Sequence, residues 1–155
     1  MRRKDRERDE AFAWAVLEQA PYITLSMTDR SGAPYAVPLC QAADPARRAV
    51  YFHCAGAGEK WELLKDGAEV CLTAVSRAEP VPGEFTMAYA SAVARGRAEP
   101  VTEPEEKRRA MRLLCRSFDP VGMGHFDGSM ERLGGITQVI RITVEQLSGK
   151  ENTAK

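Results

Sequence analysis

Tyr22-Ile23-Thr24-Leu25-Ser26-Met27-Thr28, then Asp29-Arg30-Ser31-Gly32, then Ala33-Pro34-Tyr35-Ala36-Val37-Pro38-Leu39: this stretch decides the fold class. Ile23, Leu25 and Met27 alternate with Tyr22, Thr24, Ser26 and Thr28, which is the period of a strand with one buried face, and the Asp-Arg-Ser-Gly cluster turns the chain back into a hairpin. The returning strand, Ala33 to Ala42, carries Pro34 and Pro38. Proline cannot donate to a ladder, so this strand lies at an edge, is bulged, or faces something other than another strand.

Working outward, Arg6 to Ala20 reads as an opening helix with Phe12, Val16, Gln19 and Ala20 on one face, stopped by Pro21. Ala49 to Cys54 alternates as a third strand, the small-residue loop Ala55 to Glu59 follows, and a short helix Lys60 to Lys65 closes at Asp66-Gly67. Glu69 to Ser76 and Phe85 to Val101 give two further strands. Thr102 and Glu105 form a capping box for a helix that runs to Phe118, with Met111, Leu114, Cys115 and Phe118 on its buried side. A turn of helix near Ser129 to Leu133 precedes a sixth strand, Ile136 to Val144. Six short strands without βαβ alternation predict a mainly β single domain over 1–155, an antiparallel barrel or sandwich with flanking helices. Residues 1–5 and 149–155 are expected to be loose.

Composition narrows the function. With 155 residues and 22 Lys+Arg against 22 Asp+Glu, the chain has no basic excess for a polyanion, so nucleic acid is not an expected partner. The longest apolar run, Ala11 to Leu17, is far short of the ~20 residues that cross a bilayer, and nothing resembles an export signal; a cytoplasmic, non-membrane protein is the expectation. Cys40, Cys54, Cys71 and Cys115 are too scattered for a zinc knuckle and read as reduced thiols. Only His53 and His125 could serve a triad, and neither sits in a hydrolase or haem motif. Glu103, Glu105 and Glu106 are accounted for by the helix start. There is no Walker loop and no GxGxxG.

One segment concentrates chemistry: Tyr51-Phe52-His53-Cys54-Ala55-Gly56-Ala57-Gly58-Glu59-Lys60, where a strand ends in a loop that opens a helix. Amides at such a junction, with a lysine, suit an anion such as a phosphate; equally, the glycines can serve the turn alone and Lys60 the solvent.

The order Gly32-Ala33-Pro34-Tyr35-Ala36-Val37-Pro38-Leu39, then Val50-Tyr51-Phe52-His53-Cys54-Ala55 with Gly58 and Lys60, then Ala90-Ser91-Ala92-Val93 with Gly96, resembles the nitroimidazole-resistance branch of the pyridoxamine 5′-phosphate oxidase-like flavoproteins. The opening Met1 to Arg6 and the closing Val139-Ile140-Arg141-Ile142 with Gly149-Lys150 fit as well. This resemblance implies a six-stranded FMN-binding split barrel acting as a homodimer, with flavins at the subunit interface. It places Ala36, Val37, Pro38 and Leu39 along the flavin edge. Lys60, with the Ala55 to Gly58 loop amides, falls at the phosphate; Cys54 is a further cofactor-binding candidate, and Ser91 makes a polar contact from across the dimer. His53 faces flavin or substrate and is the candidate catalytic residue. Trp61 covers the cofactor or anchors the short helix. Glu59 stands where the family often has a basic residue, and a carboxylate there weakens phosphate binding unless it turns to solvent. The basic C-terminal substrate motif of a true pyridoxamine 5′-phosphate oxidase is missing. The implied activity is FMN-dependent reduction of a small planar electron-poor substrate such as a 5-nitroimidazole. The rivals are a non-catalytic flavin-binding or flavin-sensing module and a related barrel that uses a deazaflavin or haem.

Overall fold

Two prolines in one strand and a buried glutamine after it shape this molecule. The computed structural model describes residues 2–153. A 3₁₀ turn at Lys4–Arg6 leads to β1 (Glu7–Arg8) and α1 (Glu10–Gln19). Then come β2 (Ile23–Thr28), β3 (Pro34–Leu39), β4 (Ala42–Asp44), β5 (Ala49–Ala55) and α2 (Glu59–Leu64). The second half holds β6 (Ala68–Val81), β7 (Thr86–Pro100), α3 (Pro104–Phe118), α4 (Phe126–Leu133) and β8 (Thr137–Asn152).

All pairs are antiparallel, in the order β3-β2-β6-β7-β8-β5-β4, with β1 added to β8. The two ends of that path, β3 and β4, are consecutive in the chain and separated only by Cys40-Gln41. The sheet therefore curls until its edges meet through the covalent chain and not through a ladder, which is a split barrel. Eight strand segments replace the six expected. The predicted strand Ala33 to Ala42 breaks at Cys40-Gln41 because Gln41 turns inward, 3% exposed, and its Nε2 donates to Leu17 O at 3.0 Å and Ala20 O at 2.8 Å. Those are end-of-helix carbonyls that α1 cannot satisfy itself.

Inside lies the main core: Ile23 and Leu25 from β2, Val50 and Phe52 from β5, Leu72 from β6 and Ile140 and Ile142 from β8, plugged by Ala13, Trp14, Val16 and Leu17 of α1. Each large aliphatic side chain so buried is worth about 1.5–3 kcal/mol. The helix face differs from the expected one: Gln19 is exposed and Phe12 only partly buried. The helix also starts later than expected, at Glu10 instead of Arg6, because the Asp9 carboxylate accepts from Phe12 N at 2.8 Å and caps it there. On the far side of β5, Ala110 and Leu114 of α3 form a second buried cluster with Ala42, Ala49, Tyr51, Val101 and Val139. Its N-cap is Glu103, which accepts from Glu106 N at 2.9 Å, so the expected Thr102–Glu105 capping box does not form. Phe118 is exposed and Met111 and Cys115 only partly covered.

The expected loose tail is strand through Asn152: Gly149 pairs with both Arg8 and Ala92. Residues 2–5 include the start of the 3₁₀ turn, while Met1, Ala154 and Lys155 lie outside the described residues. At the β7–β8 bulge, a Cβ on Gly96 would fall 1.9 Å from Thr143 O, so this crossing requires glycine. Among the described residues, no helix is long and apolar enough to cross a membrane.

Candidate functional site

β5 runs buried on both faces from Ala49 to Phe52 and then emerges, leaving His53 and Ala55 exposed and Cys54 half-buried. The register Ala42↔Tyr51, Ala43↔Val50, Asp44↔Ala49 would, if continued, set Leu39 opposite Cys54. It does not continue, because β3 leaves to pair with β2 (Leu39↔Ile23, Pro38↔Thr24). A gap thus opens between the free edge of β3, where Pro34 and Pro38 lack amide protons, and the end of β5. Val37 and Leu39 face the core, while Ala36 and Pro38 are exposed on the outer face.

Beyond the gap the chain turns through exposed Ala55, Gly56 and Ala57 to Gly58, whose φ of 93° is left-handed, and enters α2. No side chain caps the first turn of α2, so its amides stay available to an outside acceptor. Lys60 Nζ lies 5.6 Å from the Phe52 ring centroid, holding the ammonium at the mouth of the barrel end. Its charge reaches both His53 and Cys54. Crowding, with Lys60 beside it, holds the His53 imidazole below its ordinary value; burial pushes the Cys54 thiol up against a smaller pull from Lys60. His53 is therefore a neutral donor and acceptor near pH 7, and Cys54 is no thiolate nucleophile. The Phe118 ring sits 6.5 Å from His53, tilted by 52°. Trp61 packs partly buried against the main core and anchors α2; Glu59 is exposed to solvent.

His53, Cys54, Ala55, Gly58 and Lys60 thus follow one another along the run from the emerging end of β5 into α2, with the Lys60 charge felt at both His53 and Cys54. Ser91 is elsewhere. It lies on the outer face of β7, separated from β3 by β2 and β6, and its Oγ donates to Lys150 O at 3.4 Å.

A cavity of roughly 620 Å³ lies under α3, away from His53, lined by Tyr51, Glu106, Arg109 and Arg141 among others. Tyr51 OH donates to Glu106 Oε1 at 2.8 Å and accepts from Arg109 Nη2 at 2.7 Å. Arg141 Nη1 reaches both Glu106 oxygens at 3.0 Å, and Arg109 also holds Asp44. Burial pushes the Tyr51 phenol up, with Glu106 adding to it; partial burial works against Glu106 ionising, but hydrogen bonds from Tyr51 and Arg141 outweigh it and keep that carboxyl low. These groups satisfy one another, so the cavity is a locked ion network and not a reactive site. Sequence reasoning assigned Glu106 to the helix start; the alternation that put Tyr51 on the face opposite Phe52 was its only visible signal.

A sheet curled into a split barrel, with an open strand edge facing a loop-and-lysine turn, defines a small class of β proteins. Residues 9–151 match the family described as pyridoxamine 5′-phosphate oxidase, and the chain belongs to that family. No curated protein matches it by sequence. Among solved structures, a candidate 5-nitroimidazole antibiotic resistance protein from Bacteroides thetaiotaomicron is 24% identical, with a TM-score of 0.73 over 92% of this chain and 84% of that one. The FAD and heme binding protein from Mycobacterium smegmatis is 17% identical, with a TM-score of 0.81 over 96% and 74%. An FAD-binding protein from Mesorhizobium loti is 21% identical, with a TM-score of 0.66 over 96% and 98%. These likenesses establish the fold.

Proposed function

We propose that the chain is an FMN-binding oxidoreductase that works as a homodimer and reduces small planar electron-poor compounds, 5-nitroimidazoles among them. The reading is carried by the run from His53 through the exposed Ala55 to Gly58 loop to Lys60, at the end of β5 where β4 no longer pairs with it. The residues fit a phosphate monoester: a lysine ammonium, uncapped amides in the first turn of α2, and Glu59 turned to solvent. Bound there, FMN would supply the two-electron transfer that the reaction needs.

The chain's own part is binding and proton placement. Ala36 to Leu39 offer backbone at an unpaired strand edge, against which a flat ring can lie. His53, neutral and exposed, can donate to a nitro oxygen as negative charge develops there. Dimerisation is supported by one cross-strand row on the outer face, Pro38, Thr24, Thr73 and Val93, which carries no charge across β3, β2, β6 and β7 in a chain that is 28% charged. Ser91 lies on that face, where a second copy would bring its flavin.

Purified protein incubated with FMN should retain it stoichiometrically with a shifted flavin spectrum and sediment as a dimer. Under anaerobic conditions the reduced complex should be reoxidised by a 5-nitroimidazole. A Soret band instead would favour haem, retention of FAD over FMN would correct the nucleotide, and a colourless monomer would overturn the reading. Stable flavin with no reoxidation by any nitro compound would favour a flavin-holding module.

A further inference from the structure

On the outer face, away from the β3–β5 gap, two cations lean over one phenol. Arg6, at the end of the N-terminal 3₁₀ turn, has its Cζ 6.0 Å from the Tyr89 ring centroid, and Lys150 on β8 has its Nζ 5.6 Å from it. Arg6 Nη1 also lies 3.5 Å from the Tyr89 hydroxyl. The nearby carboxylates are engaged by others: Asp5 by Arg3 at 2.6 Å, Glu7 by Lys4 at 2.9 Å, and Glu151 by both Arg8 and Arg77 at 3.0 Å. Glu84 lines the adjoining cavity of roughly 460 Å³ with Arg6 but pairs with neither cation. Among the described residues, Arg6 and Lys150 have no carboxylate partner.

That arrangement is costly as it stands. Two like charges repel, and the ring quadrupole offsets only part of their repulsion. The phenol registers the field: partial burial pushes it up, but hydrogen bonds from Arg6 and Lys150 bring Tyr89 below its ordinary value. Ser91 stands directly opposite Lys150 in the β7–β8 register and adds a hydroxyl on the same face. A guanidinium, an ammonium and two hydroxyls offer donors from several directions together with two positive charges. A single carboxylate would neutralise only one of them, whereas a phosphate dianion or a pyrophosphate answers both.

We infer that Arg6, Tyr89, Ser91 and Lys150 form a binding site for a phosphate-bearing small molecule, built from elements other than those that carry Lys60. Of these four, Ser91 alone is shared with the contact proposed above to a partner's flavin; Arg6, Tyr89 and Lys150 are not.

The test is a titration of the full chain at low ionic strength with inorganic pyrophosphate and, separately, with adenosine diphosphate, followed by calorimetry and by NMR. Pyrophosphate should shift the Ser91 and Lys150 amide signals and raise the pH at which the Tyr89 ring ionises. Arg6→Gln and Lys150→Gln should each weaken binding at least roughly tenfold, the loss of one charge-assisted contact. Lys60→Ala, which tests the flavin site, should leave these shifts in place. Tighter binding of the diphosphate ester than of pyrophosphate would show that a nucleotide is read as well; equal binding would show that the phosphates alone are, and either supports the site. Unchanged affinity in both variants, or no movement of Ser91, Lys150 and Tyr89 in the unmodified chain, would overturn it. That last measurement needs no variant to fold.

Discussion

Tyr51 and His53 lie two residues apart on the same face of β5, and they meet opposite fates. Tyr51 is fully buried beneath α3, and its hydroxyl both donates to Glu106 and accepts from Arg109. His53 is exposed, with a ring for a neighbour and a lysine nearby. One step of the strand repeat separates a place where polar groups have found partners within the chain from a place where they have not. Groups satisfied internally hold a fold together; groups left open can take a ligand.

The sharpest way to break that contrast is Glu106→Ala. It would strip Arg141 of its bidentate partner and Tyr51 of its acceptor in a partly shielded network. A loss of about 2 kcal/mol, or roughly 5 °C in melting temperature, is expected after allowance for solvent access. Flavin bound per folded chain should not change. If thermal unfolding is unaffected while flavin is lost, the two regions have been assigned the wrong way round.

Lys60→Ala is the mirror experiment. Flavin affinity should fall about tenfold or more, the weight of one charge-assisted phosphate contact, while the melting temperature of the flavin-free protein stays within about 1 °C. Full retention of flavin would place the phosphate elsewhere. Tyr51→Phe should have a smaller effect, a destabilisation of about 1 kcal/mol in urea titration, because the ring still fills its space and only the hydroxyl's bonds are lost. Flavin retention there should match the unmodified chain.

Much of the open region could be read from the sequence, and little of the locked one. Pro34 and Pro38 announced a strand without a complete ladder, and Ala55 to Lys60 announced a turn into a helix, because both signals are local. Tyr51, Glu106 and Arg141 are 55 and 35 residues apart along the chain, and no spacing rule links a phenol, a carboxylate and a guanidinium across such distances. Glu106 looked sufficiently explained by the helix start. The break at Cys40-Gln41 was hidden for the same reason, since the carbonyls that draw Gln41 inward belong to α1, more than twenty residues earlier.

The finest test of the contrast concerns the two neighbours His53 and Lys60. Partial shielding of the exposed ring by its neighbours is the first cause that lowers the His53 imidazole and the Lys60 ammonium the second, so Lys60→Ala should move its titration upward without returning it fully to the ordinary range near 6.5. The signal is the His53 Hε1 resonance, assigned against His125→Gln. The stability consequence has a definite sign. Above the ordinary imidazole range the folded and unfolded chains are both neutral at this residue and it contributes no pH dependence. As the pH falls below that range the unfolded chain takes up the proton first, so stability drops with acidification until the folded imidazole is protonated too. Lys60→Ala should shrink that acid loss and His53→Gln should remove its share of it, in melting curves taken from pH 7 downward. A His53 that titrates at or above the ordinary value in the unmodified chain would mean that the ammonium points away, and with it would go the charge that makes this end of β5 the open one.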